Sequence, residues 1–122
     1  MAVVEIENTR VLYLEDEAAL IERPDQANDL IGDAWGHEAT AIAIPVGRLH
    51  PEFFRLGSGL AGEITQKLVN YRILCAVIGD LSPSLEQSSA LRDYVWESNR
   101  GNSVWFLADR AELEAKLAAL PR

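Results

Sequence analysis

Cysteine, histidine and runs of basic residues are what this chain has least of. Cys75 is the one cysteine in 122 residues, so no internal disulfide is available and nothing calls for an oxidising compartment. It stands inside the apolar run 73–78, where a small core residue is expected rather than a reactive thiol. His37 and His50 lie far apart with neither metal-ligand nor triad spacing, so no metal site or cofactor is expected. Eleven basic residues stand against nineteen acidic ones, a formal charge of -8. Binding to phosphate backbones draws on a basic patch and counterion release, so nucleic acid is not an expected partner. An anionic membrane surface is disfavoured on the same grounds. No apolar stretch approaches transmembrane length, and Met1-Ala2-Val3-Val4-Glu5 lacks the basic and long apolar parts of a signal peptide. The expectation is a cytoplasmic protein of one domain, 1–122.

What is present is an alternation of strands and helices. Residues 3–7 and 11–14 are β-rich and separated by Asn8-Thr9-Arg10, which reads as a hairpin. After Pro24, the residues Ala27, Leu30, Ile31, Ala34 and Trp35 follow the spacing of one buried helical stripe, which Gly36 ends. Residues 17–23 fit helix or loop equally. The run 40–45 is apolar throughout apart from its first residue, as in a strand covered on both faces, and Pro45 marks its end. A loop over 47–57 leads to a helix over about 59–70, with Ala61, Ile64, Leu68 and Val69 on one side. The second buried strand, 73–78, closes with Gly79-Asp80. Residues 81–87 form a loop or helix start, and Leu91, Tyr94, Val95 and Ser98 set up the next helix, with Gly101 as a left-handed cap. Residues 104–107 make the last strand. Asp109 and Glu112 then match a capping box for a final helix reaching about Leu120, before Pro121. The order β-β-α-β-α-β-α-β-α implies an α/β domain with a mixed, mostly parallel sheet covered by helices.

The most informative stretch is Phe53-Phe54-Arg55-Leu56-Gly57-Ser58-Gly59-Leu60-Ala61-Gly62-Glu63-Ile64, a glycine–serine turn opening a helix. The element order, with this turn after the third strand, resembles the STAS fold of bacterial anti-anti-sigma factors and sulfate-transporter domains. Those families carry an Asp-Ser-Ser-Gly-Leu-Gly-like motif here, matched by Leu56-Gly57-Ser58-Gly59-Leu60-Ala61. Gly57 falls on their phosphorylated serine and Leu56 on their aspartate, so their phospho-switch does not carry over. The same run, with Gln66-Lys67, Asn70-Tyr71-Arg72, Gly79-Asp80 and Glu97-Ser98-Asn99-Arg100-Gly101, also resembles the bacterial family of domain of unknown function 4180. That resemblance implies a fold and no activity. This chain departs from it at Arg55 and Gly57.

Two readings of the site follow. Phe53 and Phe54, an apolar pair in a loop, must either tuck under the domain or meet a partner. In the first reading the chain is a non-enzymatic interaction module, docking a protein partner or its own copy through 49–60 and the following helix start. In the second, Ser58, Glu63 and Asp80 form a polar rim for a small ligand or anion, as glycines at a helix start allow, a reading that leaves room for weak enzymatic activity. The bland account of Gly57-Ser58-Gly59 is a turn with Ser58 as N-cap. Gly62, inside the helix, is expected to permit close packing against a neighbour. Asn99 and Arg100 read as helix ending. Trp35 and Trp105 are expected in or near the core, whereas Trp96 lies off the buried face.

Overall fold

In the computed structural model, which describes residues 1–120, five strands form one sheet in the order β1-β2-β3-β4-β5. β1 (Ala2–Ile6) and β2 (Thr9–Tyr13) make an antiparallel hairpin; β3 (Ala41–Pro45), β4 (Leu74–Ile78) and β5 (Val104–Leu107) continue in parallel. α1 (Gln26–Gly36) joins β2 to β3, and α2 (Leu60–Asn70) joins β3 to β4. α3 (Ser82–Gln87) and α4 (Ser89–Arg100) join β4 to β5, and α5 (Arg110–Ala118) follows. The α/β architecture is the expected one, with one expected helix divided at Ser88. That residue is extended, and its hydroxyl accepts from Leu91 N at 3.1 Å, capping α4.

The hairpin turns earlier than its sequence suggests. Glu7 (φ 48°) and Asn8 (φ 69°) are both left-handed, the two-residue geometry whose twist matches that of paired strands. Glu7 therefore leaves the strand and Thr9 and Arg10 enter one. Residues 17–23 are not helical; the Arg48 guanidinium holds this stretch by donating to Glu15 O (2.9 Å) and Ala19 O (3.0 Å).

Strand alternation sends Leu12, Ile42, Ile44, Cys75, Val77 and Phe106 into one core, which Leu30, Ile31, Ile64 and Leu68 of the joining helices complete. Val11, Tyr13, Ala41, Ala43, Ala76 and Trp105 face the other side, beneath Leu113 and Leu117 of α5. Right-handed crossovers that always add the next strand on the same side leave the joining helices on one face. The opposite face is left to α5, and the alanines of β3 and β4 let that helix lie close.

Three expectations change. Trp35 is 58% exposed: α1 buries Ala27, Leu30, Ile31 and Ala34, and the next residue is turned away from that stripe. Gly101 is extended (φ -94°, ψ -166°) rather than left-handed. Gly62 is exposed with nothing within 4 Å of an added Cβ, so it serves no close packing within the chain. α5 ends at Ala118, and the stop assigned to Pro121 lies outside the described residues.

Candidate functional site

After Pro45 the chain makes three short 3₁₀ turns, Val46–Arg48, Pro51–Phe54 and Leu56–Ser58, before α2 begins. His50 starts the second turn, its Nδ1 accepting from Glu52 N at 3.0 Å, and Pro51 supplies the fixed φ of a first helical position. This turns Phe53 inward, to 1% exposure, with the Phe54 ring edge-on at 5.3 Å. Phe53 is thus a core residue and presents nothing to a partner. Phe54 is half-buried against the same core and keeps part of its ring accessible. Arg55 pairs with Glu52 at 3.3 Å in an exposed contact of little energetic weight.

Ser58 and Gly59 divide the work of starting α2. Gly59, at φ 80°, occupies the cap position in place of Ser58, in a backbone conformation that side chains disfavour. The Ser58 hydroxyl donates to Glu52 O (2.7 Å) and accepts from Leu60 N (3.2 Å). It is therefore a strut between the turns and the helix. Gly57 is exposed, with open space where a side chain would go.

Ser58, Glu63 and Asp80, the expected polar rim, line no described pocket together. Glu63 lines a shallow depression on the outer side of α2 with Gly62, Gln66, Lys67 and Asn70. Asp80 turns back on its own loop: Oδ1 accepts from Ser82 Oγ (2.6 Å) and Ser82 N (2.9 Å), and these bonds hold its carboxyl below the ordinary value. A further consideration is topological. Open α/β sheets bind ligands in the crevice where strand order reverses. The order here is sequential from end to end and has no such reversal.

A different concavity does form beside the turns. An open groove of about 600 Å³ runs between Leu49, Phe54 and Leu56 on one side and Gln87, Ser88 and Ala90, at the α3–α4 break, on the other. Glu52 and Arg55 stand at its lip. The groove offers mainly apolar surface, with Glu52, Arg55, Ser84, Gln87 and Ser88 among its polar lining.

Other features are structural in character. Cys75 is fully buried, and burial pushes its thiol up to about 12. The buried Tyr13 hydroxyl has no hydrogen-bond partner among the described residues, and Arg110 lies over its ring at 3.8 Å; both residues line a small cavity at the ends of β2, β3 and β4. Among the described residues, no group of His, Cys, Asp and Glu is placed to hold a metal ion. No described helix is long and apolar enough to cross a membrane.

Asn99 carries a role its sequence context did not reveal. Its side-chain amide accepts from Phe106 N (2.7 Å) and donates to Phe106 O (3.1 Å), pairing with β5 as a neighbouring strand would. Lys116 Nζ donates to Asn99 O at 2.8 Å, and Trp105 Nε1 donates to Gly101 O at 2.7 Å, so the end of α4 is fastened to both β5 and α5. A side-chain amide seven positions before an apolar strand has no distinctive spacing in sequence. Trp96 is 60% exposed beneath the Arg100 guanidinium, and Trp35 packs edge-on against Tyr71 at 5.3 Å.

No curated protein and no solved structure gives a significant match to the chain. Among protein families, the model described as "Domain of unknown function (DUF4180)" matches residues 6–117, from the first strand through the last helix, and the chain belongs to that family.

Proposed function

We propose that this protein is a regulatory interaction module of the bacterial cytoplasm, with a STAS-like fold, that seats an apolar segment of a partner protein. The observation that carries this reading is the groove between the 3₁₀ turns and the α3–α4 break, lined on one side by Leu49, Phe54 and Leu56. Apolar surface retained in a concavity favours side chains from another molecule over water. Sequential strands, a leading hairpin and joining helices gathered on one face support the STAS-like part of the reading. The docking surface is the region 49–60 with Phe53 removed from it, since that ring is buried. Ser58 and Gly59 hold the turns in place without touching the occupant. The ligand reading through Ser58, Glu63 and Asp80 draws no comparable support, because the hydroxyl and the carboxylate are engaged internally and Glu63 faces elsewhere.

The test places a photo-crosslinking residue at Gln87, on the groove wall, in the source cell, with a second at Gln66 on the outer side of α2 as control. Adducts specific to position 87 that disappear with Leu56→Glu, in a protein that still folds, are expected. Adducts indifferent to Leu56→Glu would sink the reading. The adduct's mass tells a second copy from another protein.

A further inference from the structure

The two edges of the sheet are finished differently. On β5, Cys75 N donates to Ser103 O and Gly79 N to Leu107 O, so the odd residues point their backbone groups at β4. Phe106 points outward, and Asn99 satisfies both its N–H and its C=O. That edge is capped by a dedicated side chain. On the hairpin side, Thr40 N donates to Arg10 O and Leu14 N to Ala43 O, so the even residues of this segment face β3. Thr9, Val11 and Tyr13 must then bond their partners Ile6, Val4 and Ala2. The backbone groups of Val3 and Glu5 are left pointing away from the sheet, on an exposed strand of sequence AVVEI. Natural edges are normally blunted by a proline, a bulge or a covering element. Among the described residues, β1 has one charge, Glu5, and none of the others.

We propose that β1 pairs antiparallel with β1 of a second copy, joining two five-stranded sheets into one across a two-fold axis at Val4. The register follows from the outward groups. Centring on Val4 places Val3 opposite Glu5 of the second copy, so each outward N–H meets an outward C=O. It also keeps the two Glu5 carboxylates apart, whereas centring on Glu5 would set like charges face to face. Val4 meets its own copy as a non-bonded pair, on the face where Val4 and Ile6 pack against the α5 core. A second copy thus satisfies the edge with its own sequence, where an unrelated strand would need to match that charge pattern by chance. Five residues on each side make a small interface, so the association belongs to the weak, concentration-dependent class. This inference is independent of the groove, which lies at the end of β3.

Three single variants of the full chain test it. Val4→Cys is expected to oxidise to a covalent dimer, because non-bonded pairs sit about 4.5 Å apart between Cα atoms, within disulfide reach. Val3→Cys and Glu5→Cys are expected to remain single chains under the same oxidant, since their counterparts lie two residues away across the axis. Native Cys75 is buried and does not compete. In sedimentation, the native chain should rise toward twice its mass with concentration. Glu5→Pro, which removes an outward N–H without touching the β2 ladder, should hold at one. A native chain that stays single at every concentration, or cross-linking that is equal at positions 3, 4 and 5, would overturn the proposal. So would a dimer insensitive to Glu5→Pro but lost with Leu56→Glu, which would locate self-association at the groove instead.

Discussion

Gly79 lies so close to Val46 that a methyl group on it would sit 2.8 Å from Val46 Cγ2. The end of β4 is thereby held against the first of the 3₁₀ turns, and Val46 itself lines the groove. Gly79 also has φ 141°, outside the range that side chains tolerate. Gly79→Ala is expected to destabilise the fold by roughly 1–3 kcal/mol, from strain and overpacking together. Chemical denaturation measures the loss, and a Val46→Ala background should return the part that comes from Val46 Cγ2. An equal loss in both backgrounds would show that Val46 Cγ2 carries none of the effect, leaving backbone strain and the Val46 Cβ contact at 3.0 Å.

Gly59 and Gly62 stand three residues apart and should respond to alanine with opposite signs. Gly59 is left-handed, so Gly59→Ala should lower stability by about 1–2 kcal/mol. Gly62 is inside α2, exposed, with open space for a methyl group. Gly62→Ala should raise stability by about 0.5–1 kcal/mol. Thermal melts of the two variants decide the matter.

Asn99→Ala removes both hydrogen bonds to Phe106 and uncovers the β5 edge. A loss of about 1–3 kcal/mol is expected, because two half-buried backbone groups lose their partners. Asn99→Asp should keep the acceptor toward Phe106 N but set a carboxylate against Phe106 O, recovering only part of that loss. Light scattering should also show new self-association in the alanine variant, by the now uncapped edge.

Cys75 sets an alkaline limit. Burial raises its thiol from 9.0 to about 12, so the folded state keeps the proton when the unfolded state has lost it. Its contribution to stability is complete below about 9 and declines as pH rises from there toward 12. Denaturation midpoints between these values should fall less steeply in Cys75→Ala than in the native chain. At neutral pH a thiol reagent should label Cys75 only after unfolding.

Much of the fold was legible because the strands are buried on both faces. Residues 40–45 and 73–78 read as strands from apolar content alone, and Pro45 and Asp109 marked an end and a start correctly. The hairpin turn leaves no punctuation in the sequence, because Glu7 and Asn8 adopt left-handed conformations without glycine. Trp35 stands at the edge of the apolar stripe whose spacing it follows, where one helical step carries a residue from buried to exposed. The aromatic pair behaved in two ways that a sequence does not separate: Phe53 entered the core while Phe54 remained half out. Ser58 showed its hydroxyl in sequence but not that two backbone groups already engage it. The groove is formed by residues some thirty positions apart, so no local pattern announces it.

The sequential strand order also sets a schedule for folding. Each joining helix packs near the strands it connects, so the successive β–α units can settle as the chain emerges, with few long loops to close. α5 is the exception: the last helix touches β5, its neighbour in the chain, and also β1, at the far side of the sheet. Until it arrives, one entire face, including Val11, Trp105 and the alanines of the central strands, stays open to solvent. A nascent chain stalled before residue 110 would therefore hold a sheet with one wet face, and that is the stage at which a chaperone has most to shield.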